Sequence, residues 1–515
     1  MKQLLLLTML VANSSLLAEE IPDALLTVAE RSKFQATSKH AEVIELCQQL
    51  AKASPRIKLI PDAGTSGEGR KQPLLILSDP PVNTPEEARN SGKVIVMAFA
   101  NIHAGEVDGK EGVLMLAREL GLAESHPLFK DVVFLVYPNL NADGNERFDL
   151  KNRPGQDGPV LGMGIRANAN GLDLNRDFVK LDSPEVRCLV KLFDQWNPHI
   201  IIDLHTTNGS YHRHVITYDV NKHPASDAAL VQLANEKMVP ELNERLDKRG
   251  WKGFYYGNFN RDRTVWETYG FEPRFSIQYV ALRQRIGILS ESYSYASYKD
   301  RVIASKDFVH SILEYAANHK NEIRKTLEEA AVRQVSSEQT VALRTKVVAK
   351  PQRYTVLGFA EKEENGRRVR TKDPKEYAVT YLGWAEPTLT VKRPAGYLVP
   401  AKYTAALDNL RRHGIQLEEV GQEKEYAVEI YTIKSIKQSQ AAFQKHKLMQ
   451  VDADSKAETR TVKPGEYVFV KCAQPLGNFA SFLLEPRADD GLTAWNYFDE
   501  GLKEGTEFPV LRVVK

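Results

Sequence analysis

A histidine and a glutamate three positions apart, His103 and Glu106, close the apolar run VIVMAFANIHAGE. A second run, HIIIDLHTT, ends at His205, 99 residues beyond Glu106, and a third, IGILSESYS, ends at Glu291. A fourth, VVFLVYPNLNADG, ends at Asn139 and Asn141. Two imidazoles and one carboxylate can hold a zinc ion and leave a position open for water, and a further carboxylate can move that water's protons. An HxxE pair alone is a weak signal. Placement sharpens it, because in open α/β sheets the ligand crevice lies beyond the carboxyl ends of the strands. Four such runs therefore predict four groups converging on one crevice, with one zinc ion as cofactor. Asp173 and Asp203 are the carboxylates available to accept the distal N–H of a zinc-bound imidazole. Asp203 sits two residues before His205 on one strand and could equally face a neighbouring loop.

The elements that must carry these residues alternate between strand and helix. KVIVMAFA and DVVFLVYP read as strands, a helix is expected from about Lys110 to Leu120, and SPEVRCLVKLFDQW reads as a helix opened by Ser183. Residues 300–335 are strongly helical. The pattern predicts an α/β fold: a mixed, mostly parallel central sheet with helices on both faces. Beyond about 336–345 the texture changes to short alternating segments such as YAVTYLGW and YAVEIYTI, expected to form a smaller β-rich domain over 340–515 that packs on the first. The expected organisation is a leader at 1–18, an N-terminal helical segment at 19–69, a catalytic domain at 70–335, and this C-terminal domain.

At 515 residues the chain is long enough for two folded units, and 42% hydrophobic with 26% charged residues describes a globular protein. A net charge of +2 gives no reason to expect nucleic acid or an anionic membrane as partner. Lys2, then LLLLTMLVA, then SSLLA form the regions of a secretory signal cut after Ala18, so a secreted or periplasmic product is expected. The apolar run is far below the roughly 18–20 residues that span a bilayer, so no stable membrane insertion is expected. Cys47, Cys188 and Cys472 match no metal or redox spacing and read as buried apolar residues without a disulfide framework.

The ordered set HAGE (103–106), NLNADG (139–144), RANANGLDLNRDF (166–178), DLHTT (203–207) and ILSES around Glu291 resembles the zinc carboxypeptidases of the carboxypeptidase A type, peptidase family M14. The resemblance covers about residues 70–310 and implies zinc bound by His103, Glu106 and His205, with Glu291 as general base and acid. It implies that Asn175 and Arg176 clamp the substrate's terminal carboxylate, that Arg166 polarises the scissile carbonyl, and that Asp173 is the partner of His103. The family's mobile tyrosine falls on Tyr269, 22 residues before Glu291, or on Tyr279 in FSIQYVALRQR.

The implied function is a secreted zinc metallocarboxypeptidase acting on the C-termini of peptides or proteins, its oligomeric state open. The alternative is a zinc amidase of the same fold acting on peptidoglycan stem peptides or another acyl-amino acid. A binding module that has lost catalysis would lack a ligand or the base, and all four are present. His212 and His214 read as loop or rim residues, and Arg283 and Arg285 as partners of local carboxylates or as a preference for acidic substrates.

Overall fold

The computed structural model describes residues 21–336, 338–364 and 367–514; the leader expected at 1–18 lies outside the described residues. In chain order the N-terminal portion carries strands β1 (Ile57–Thr65), β2 (Lys71–Leu77), β3 (Val94–Ala100), β4 (Val132–Tyr137), β5 (Ile200–Thr207), β6 (Ile216–Val220), β7 (Phe254–Tyr255), β8 (Asn258–Phe259), β9 (Val265–Glu267) and β10 (Ile286–Tyr293). The eight-stranded central sheet runs β1-β2-β4-β3-β5-β10-β6-β7. Its middle four strands, β4-β3-β5-β10, are mutually parallel, while β1, β2 and β6 add antiparallel edges. β3 and β4 are apolar throughout, and β5 and β10 open on apolar residues, because both faces are covered. Along β3, Ile95, Met97 and Phe99 enter one core, and Val94, Val96, Ala98 and Ala100 enter the other.

One face is covered by the helices His40–Ala53, Asp108–Leu122, Val239–Lys248 and Tyr298–Asn318. The opposite face is covered by Pro184–Trp196 and Ser276–Leu282. In Pro184–Trp196 the Ser183 side chain accepts from the Val186 amide, Glu185 lies in the first turn, and Asn197 ends the helix at φ 47°.

The expected helical segment 19–69 is only partly so. His40–Ala53 is a helix, but Ile57–Thr65 is the edge strand of the central sheet, paired with β2 from Ile57↔Leu77 to Thr65↔Lys71. An edge strand faces solvent on many positions, so its apolar alternation is weak and the sequence hides it. The segment ahead of it also belongs to the same folded unit. Glu111 accepts from the Thr37 hydroxyl (2.8 Å) and the Ser38 amide (2.7 Å), and Arg118 pairs with Glu30.

The C-terminal portion carries β11 (Thr340–Glu364), β12 (Arg367–Lys392), β13 (Gly396–Pro400), β14 (Glu418–Glu419), β15 (Lys424–Gln438), β16 (Met449–Val462), β17 (Tyr467–Lys471) and β18 (Leu511–Val513). It is β-rich, as the texture predicts, and it packs on the N-terminal portion, but it is not a separate body. β12 pairs in parallel with β9 from Thr380↔Val265 to Leu382↔Glu267, so the sheet β11-β12-β9-β8 draws strands from both portions. The remaining strands form the sheet β14-β17-β13-β18-β15-β16. A single apolar core joins Leu189, Phe193 and Tyr279 to Phe479, Phe482 and Trp495.

Candidate active site

The order β4-β3-β5-β10 sets the carboxyl ends of β3, β5 and β10 side by side. Register makes Glu291 and His205 direct neighbours across β10 and β5. His103 and Glu106 sit in the short loop between β3 and the helix Asp108–Leu122, where the Glu106 amide donates to the His103 carbonyl at 2.9 Å. That turn points both side chains at one place.

The Glu106 carboxylate lies between the two imidazoles, Oε1 3.1 Å from His103 Nδ1 and Oε2 2.9 Å from His205 Nδ1. Each ring's far nitrogen meets an aspartate: His103 Nε2 is 2.9 Å from Asp173 Oδ1, and His205 Nε2 is 2.8 Å from Asp203 Oδ2. A carboxylate on Nε2 fixes the tautomer and leaves the Nδ1 lone pair for a cation. Ligand atoms of His103, Glu106 and His205 all lie within 4.8 Å of one another, and all three residues are buried. His103 Nδ1 has no hydrogen-bond partner despite its burial. Two converging imidazole nitrogens, one of them orphaned, and a carboxylate fit a zinc ion with an open position. Ser276 Oγ also donates to Asp203, which fixes the second aspartate from the helix side.

Electrostatics divides the two glutamates. Burial would raise Glu106, but His103 and Arg153 more than reverse this and hold it well below the usual carboxylate range. Burial pushes Glu291 up to about 8; His205 and Arg166 oppose the shift, and Glu106 and Asp203 add to it. Burial would lower His205, yet Asp203 raises it well above the ordinary imidazole value. The same surplus of negative charge favours a divalent cation.

Arg166 is 46% exposed and forks onto Asp173 Oδ2 through Nε (2.9 Å) and Nη2 (2.8 Å). Arg176 is 24% exposed, stacks its guanidinium 4.4 Å above the Phe275 ring, and lies 3.9 Å from Asp173 Oδ2. Asn175 is beside them, but its amide is committed: Nδ2 is 3.3 Å from His205 Nε2, and Oδ1 accepts from the Ser276 amide at 2.9 Å. The tyrosines separate. The Tyr269 hydroxyl is buried without a partner, and burial followed by Asp219 and Glu291 raises its pKa. Tyr279 is withdrawn from the crevice: its hydroxyl meets His413 Nδ1 at 3.0 Å, and its ring packs on Phe178 and Phe479. Its place in the helix Ser276–Leu282 turns it into the core shared with the C-terminal portion.

Other expectations also change. The Asn139–Asn141 run does not end in a reacting group. Asn139 accepts from Asn101 (2.6 Å), and Asn141 caps Gly144 (2.9 Å) and donates to the Arg166 carbonyl (3.1 Å), so these amides brace the crevice from below. His212 and His214 are buried, not at the rim. His212 stacks 3.9 Å from Tyr293 and His214 5.2 Å from Phe254, and burial pushes His214 down to about 4. Arg283 pairs with Asp194 and Arg285 donates to Asn197.

Three residues at the site carry no sequence signal. The Arg153 guanidinium donates to Glu106 Oε1, in space that Gly105 leaves free: a Cβ there would lie 2.9 Å from Arg153 Nε. Tyr256 packs 5.8 Å from Tyr269, and burial, then the Glu291 charge, pushes its pKa up to about 12. Gln444 reaches the site from 271 residues downstream, where its Oε1 accepts from the Asp173 amide at 2.8 Å.

The zinc carboxypeptidase family model of peptidase family M14 matches residues 43–286. Carboxypeptidase 2 of Trichophyton rubrum is 22% identical over 468 residues, 87% of this chain and 81% of that protein. Carboxypeptidase E of Caenorhabditis elegans is 33% identical over 158 residues, 30% of each chain. Among solved structures, carboxypeptidase A from Helicoverpa armigera aligns over 56% of this chain and 75% of that one, at 16% identity and a TM-score of 0.41. The chain carries an M14 zinc carboxypeptidase domain and, with it, the hydrolase class of that family.

Proposed function

We propose that the protein is an exported metallocarboxypeptidase with one zinc ion, held by His103, Glu106 and His205, which removes the C-terminal residue of peptides or proteins. The observation that carries this reading is the clustering of those three ligands with Glu291 in register beside His205 and two arginines at the crevice. When bound, the ion supplies Lewis-acid polarisation and a lowered pKa for its water. Glu291, poised near neutrality, takes a proton from the attacking water and passes it to the leaving amine as the C–N bond breaks. Arg166 stabilises the oxyanion that develops on the carbonyl oxygen. Arg176 holds the substrate's terminal carboxylate by a bidentate fork, and Phe275 beneath it fixes the plane of the guanidinium. Asn175 adds rigidity beside it. Tyr269 and Tyr256 line the wall next to Glu291. Export rests on the leader pattern at 1–18. Among the described residues no helix is long and apolar enough to cross a membrane.

The test is mature, zinc-loaded protein against a peptide panel differing in the last residue, each with a free or an amidated C-terminus. Cleavage confined to free C-termini, with Arg176→Ala losing at least about tenfold on them, is expected for a clamp contributing more than about 1.4 kcal/mol. Equal losses on amidated peptides overturn the clamp. Activity only on cell-wall stem peptides or other acyl-amino acids selects the amidase alternative.

A further inference from the structure

We propose that the turn Phe443–His446, between β15 and β16, is a built part of the metal centre, with Gln444 as the positioning residue that fixes Asp173 and, through it, His103 and Arg166. This rests on the metal-site reading above and extends it to the C-terminal portion.

The accounting at Asp173 leaves one place to fill. Its Oδ1 lies 2.9 Å from His103 Nε2 and also accepts from the Asn175 amide at 2.9 Å, while Oδ2 takes the Arg166 fork. Its own amide is the remaining donor, and Gln444 Oε1 accepts it at 2.8 Å. An unmade bond there would leave a desolvated N–H beside a carboxylate that must not shift.

The turn itself carries the cost of putting that side chain in place. Gln444 and Lys445 have φ of 50° and 68°, and Phe443 and His446 exchange hydrogen bonds of 2.8 and 3.0 Å. Two consecutive left-handed residues in a two-residue hairpin are served by Asn-Gly or Gly-Gly, not Gln-Lys. Such backbone persists when its surroundings over-determine it. Here they do. His446 Nε2 is 2.9 Å from Asp182 and its Nδ1 3.0 Å from Asn496; Arg274 stacks over Phe443 and Trp495, and the Arg274 amide donates to Asp490 at 2.6 Å. Both anchoring loops belong to the site. One runs from Asp173 to Asp182; the other continues into Phe275, under Arg176, and Ser276, on Asp203. Asn would suit the turn better but is one methylene short, so glutamine at 444 follows from reach.

The experiment uses the full mature chain and measures zinc affinity by competition with a chromophoric chelator, together with the absorption bands of the cobalt-substituted protein. Gln444→Asn relaxes the turn but falls short of Asp173. Gln444→Met keeps the length and removes the acceptor. Both are expected to weaken zinc by about tenfold or more and to shift the cobalt bands, as loss of a partner behind a ligand does. Lys445→Gly, which changes the same turn without touching the acceptor, should match wild type. Wild-type affinity and spectra in either Gln444 variant that melts like the parent overturn the proposal, as does an equal loss in Lys445→Gly. A wild-type protein that binds no zinc overturns the metal-site reading, and this inference with it.

Discussion

Glu106 and Glu291 lie in one crevice, yet their surroundings push their proton affinities in opposite directions, which is how two carboxylates take two roles. Glu106 faces two imidazoles and Arg153 and stays ionised, as the proposed zinc ligand must. Glu291 is raised to about 8, where it can both accept and return a proton. Glu291→Gln keeps the size and removes the proton transfer. The variant is expected to retain stoichiometric zinc while hydrolysis falls by about 10²–10⁴-fold, read from metal content and initial rates. Near-normal turnover would take Glu291 out of the reaction. The clustering of His103, Glu106 and His205, with Glu291 beside them, was legible because each ends or follows an apolar run, and strand ends are where such sheets gather chemistry. Arg153 and Tyr256 were not. They lie in aperiodic stretches whose path is set by contacts far away in sequence, and Tyr269 stood nearer the family's spacing.

The strands that present these groups are tied together from behind by one buried carboxylate. Asp108, at the start of the helix Asp108–Leu122, accepts from Thr206 and Ser292, the neighbours of His205 and Glu291, and pairs with Arg301 at 2.9 Å. Arg301 also donates to the carbonyls of Asp157, Gly158, Ser294 and Ala296. Both charges are fully buried, so removing one strands the other. Arg301→Ala should therefore cost about 3–5 kcal/mol in urea unfolding, and Arg301→Met less, since an apolar group of similar volume is tolerated better. A loss under about 1 kcal/mol for the alanine variant would show that the pair is not what joins β5 to β10. A second element can be read by pH. The bond to Asp182 raises His446 above its ordinary value, with burial and Lys180 opposing. A raised imidazole stabilises fully below its unfolded pKa, about 6.5, and loses that contribution as pH climbs through the folded value. The gap in melting temperature between wild type and His446→Asn should be widest below about pH 6.5 and close above it. A gap that grows with pH contradicts the pairing. The sequence showed the buried strands plainly but not β1, whose exposed edge positions blur its pattern, nor the hairpin tip at Gln444, which breaks the turn rules it would be recognised by.

At the scale of the molecule, the change of texture near residue 340 marks a boundary in sequence but not in space. Residues 184–196 and 276–282 pack on the central sheet and on the C-terminal portion at once, with Phe193 against Phe99 and in the same core as Trp495, and Tyr279 against His413 and Phe479. β9, paired on one side with β8, finds its other sheet partner in β12. A core shared in this way cannot be divided without exposing a broad apolar patch, and such patches drive aggregation. A chain ending at Ser336 is therefore expected to be insoluble or to bind a hydrophobic dye strongly, although it retains every proposed zinc ligand and Glu291. Any fraction that stays soluble should hold zinc more weakly than the full chain, because Asp173 has lost Gln444 and the loop to Asp182 has lost His446. Dye binding, sedimentation and chelator competition on the two lengths read these effects separately. A soluble, compact 21–336 fragment with the parent's zinc affinity would mean that the peptidase fold closes by itself, and that the β-rich portion leans on a finished enzyme instead of completing one.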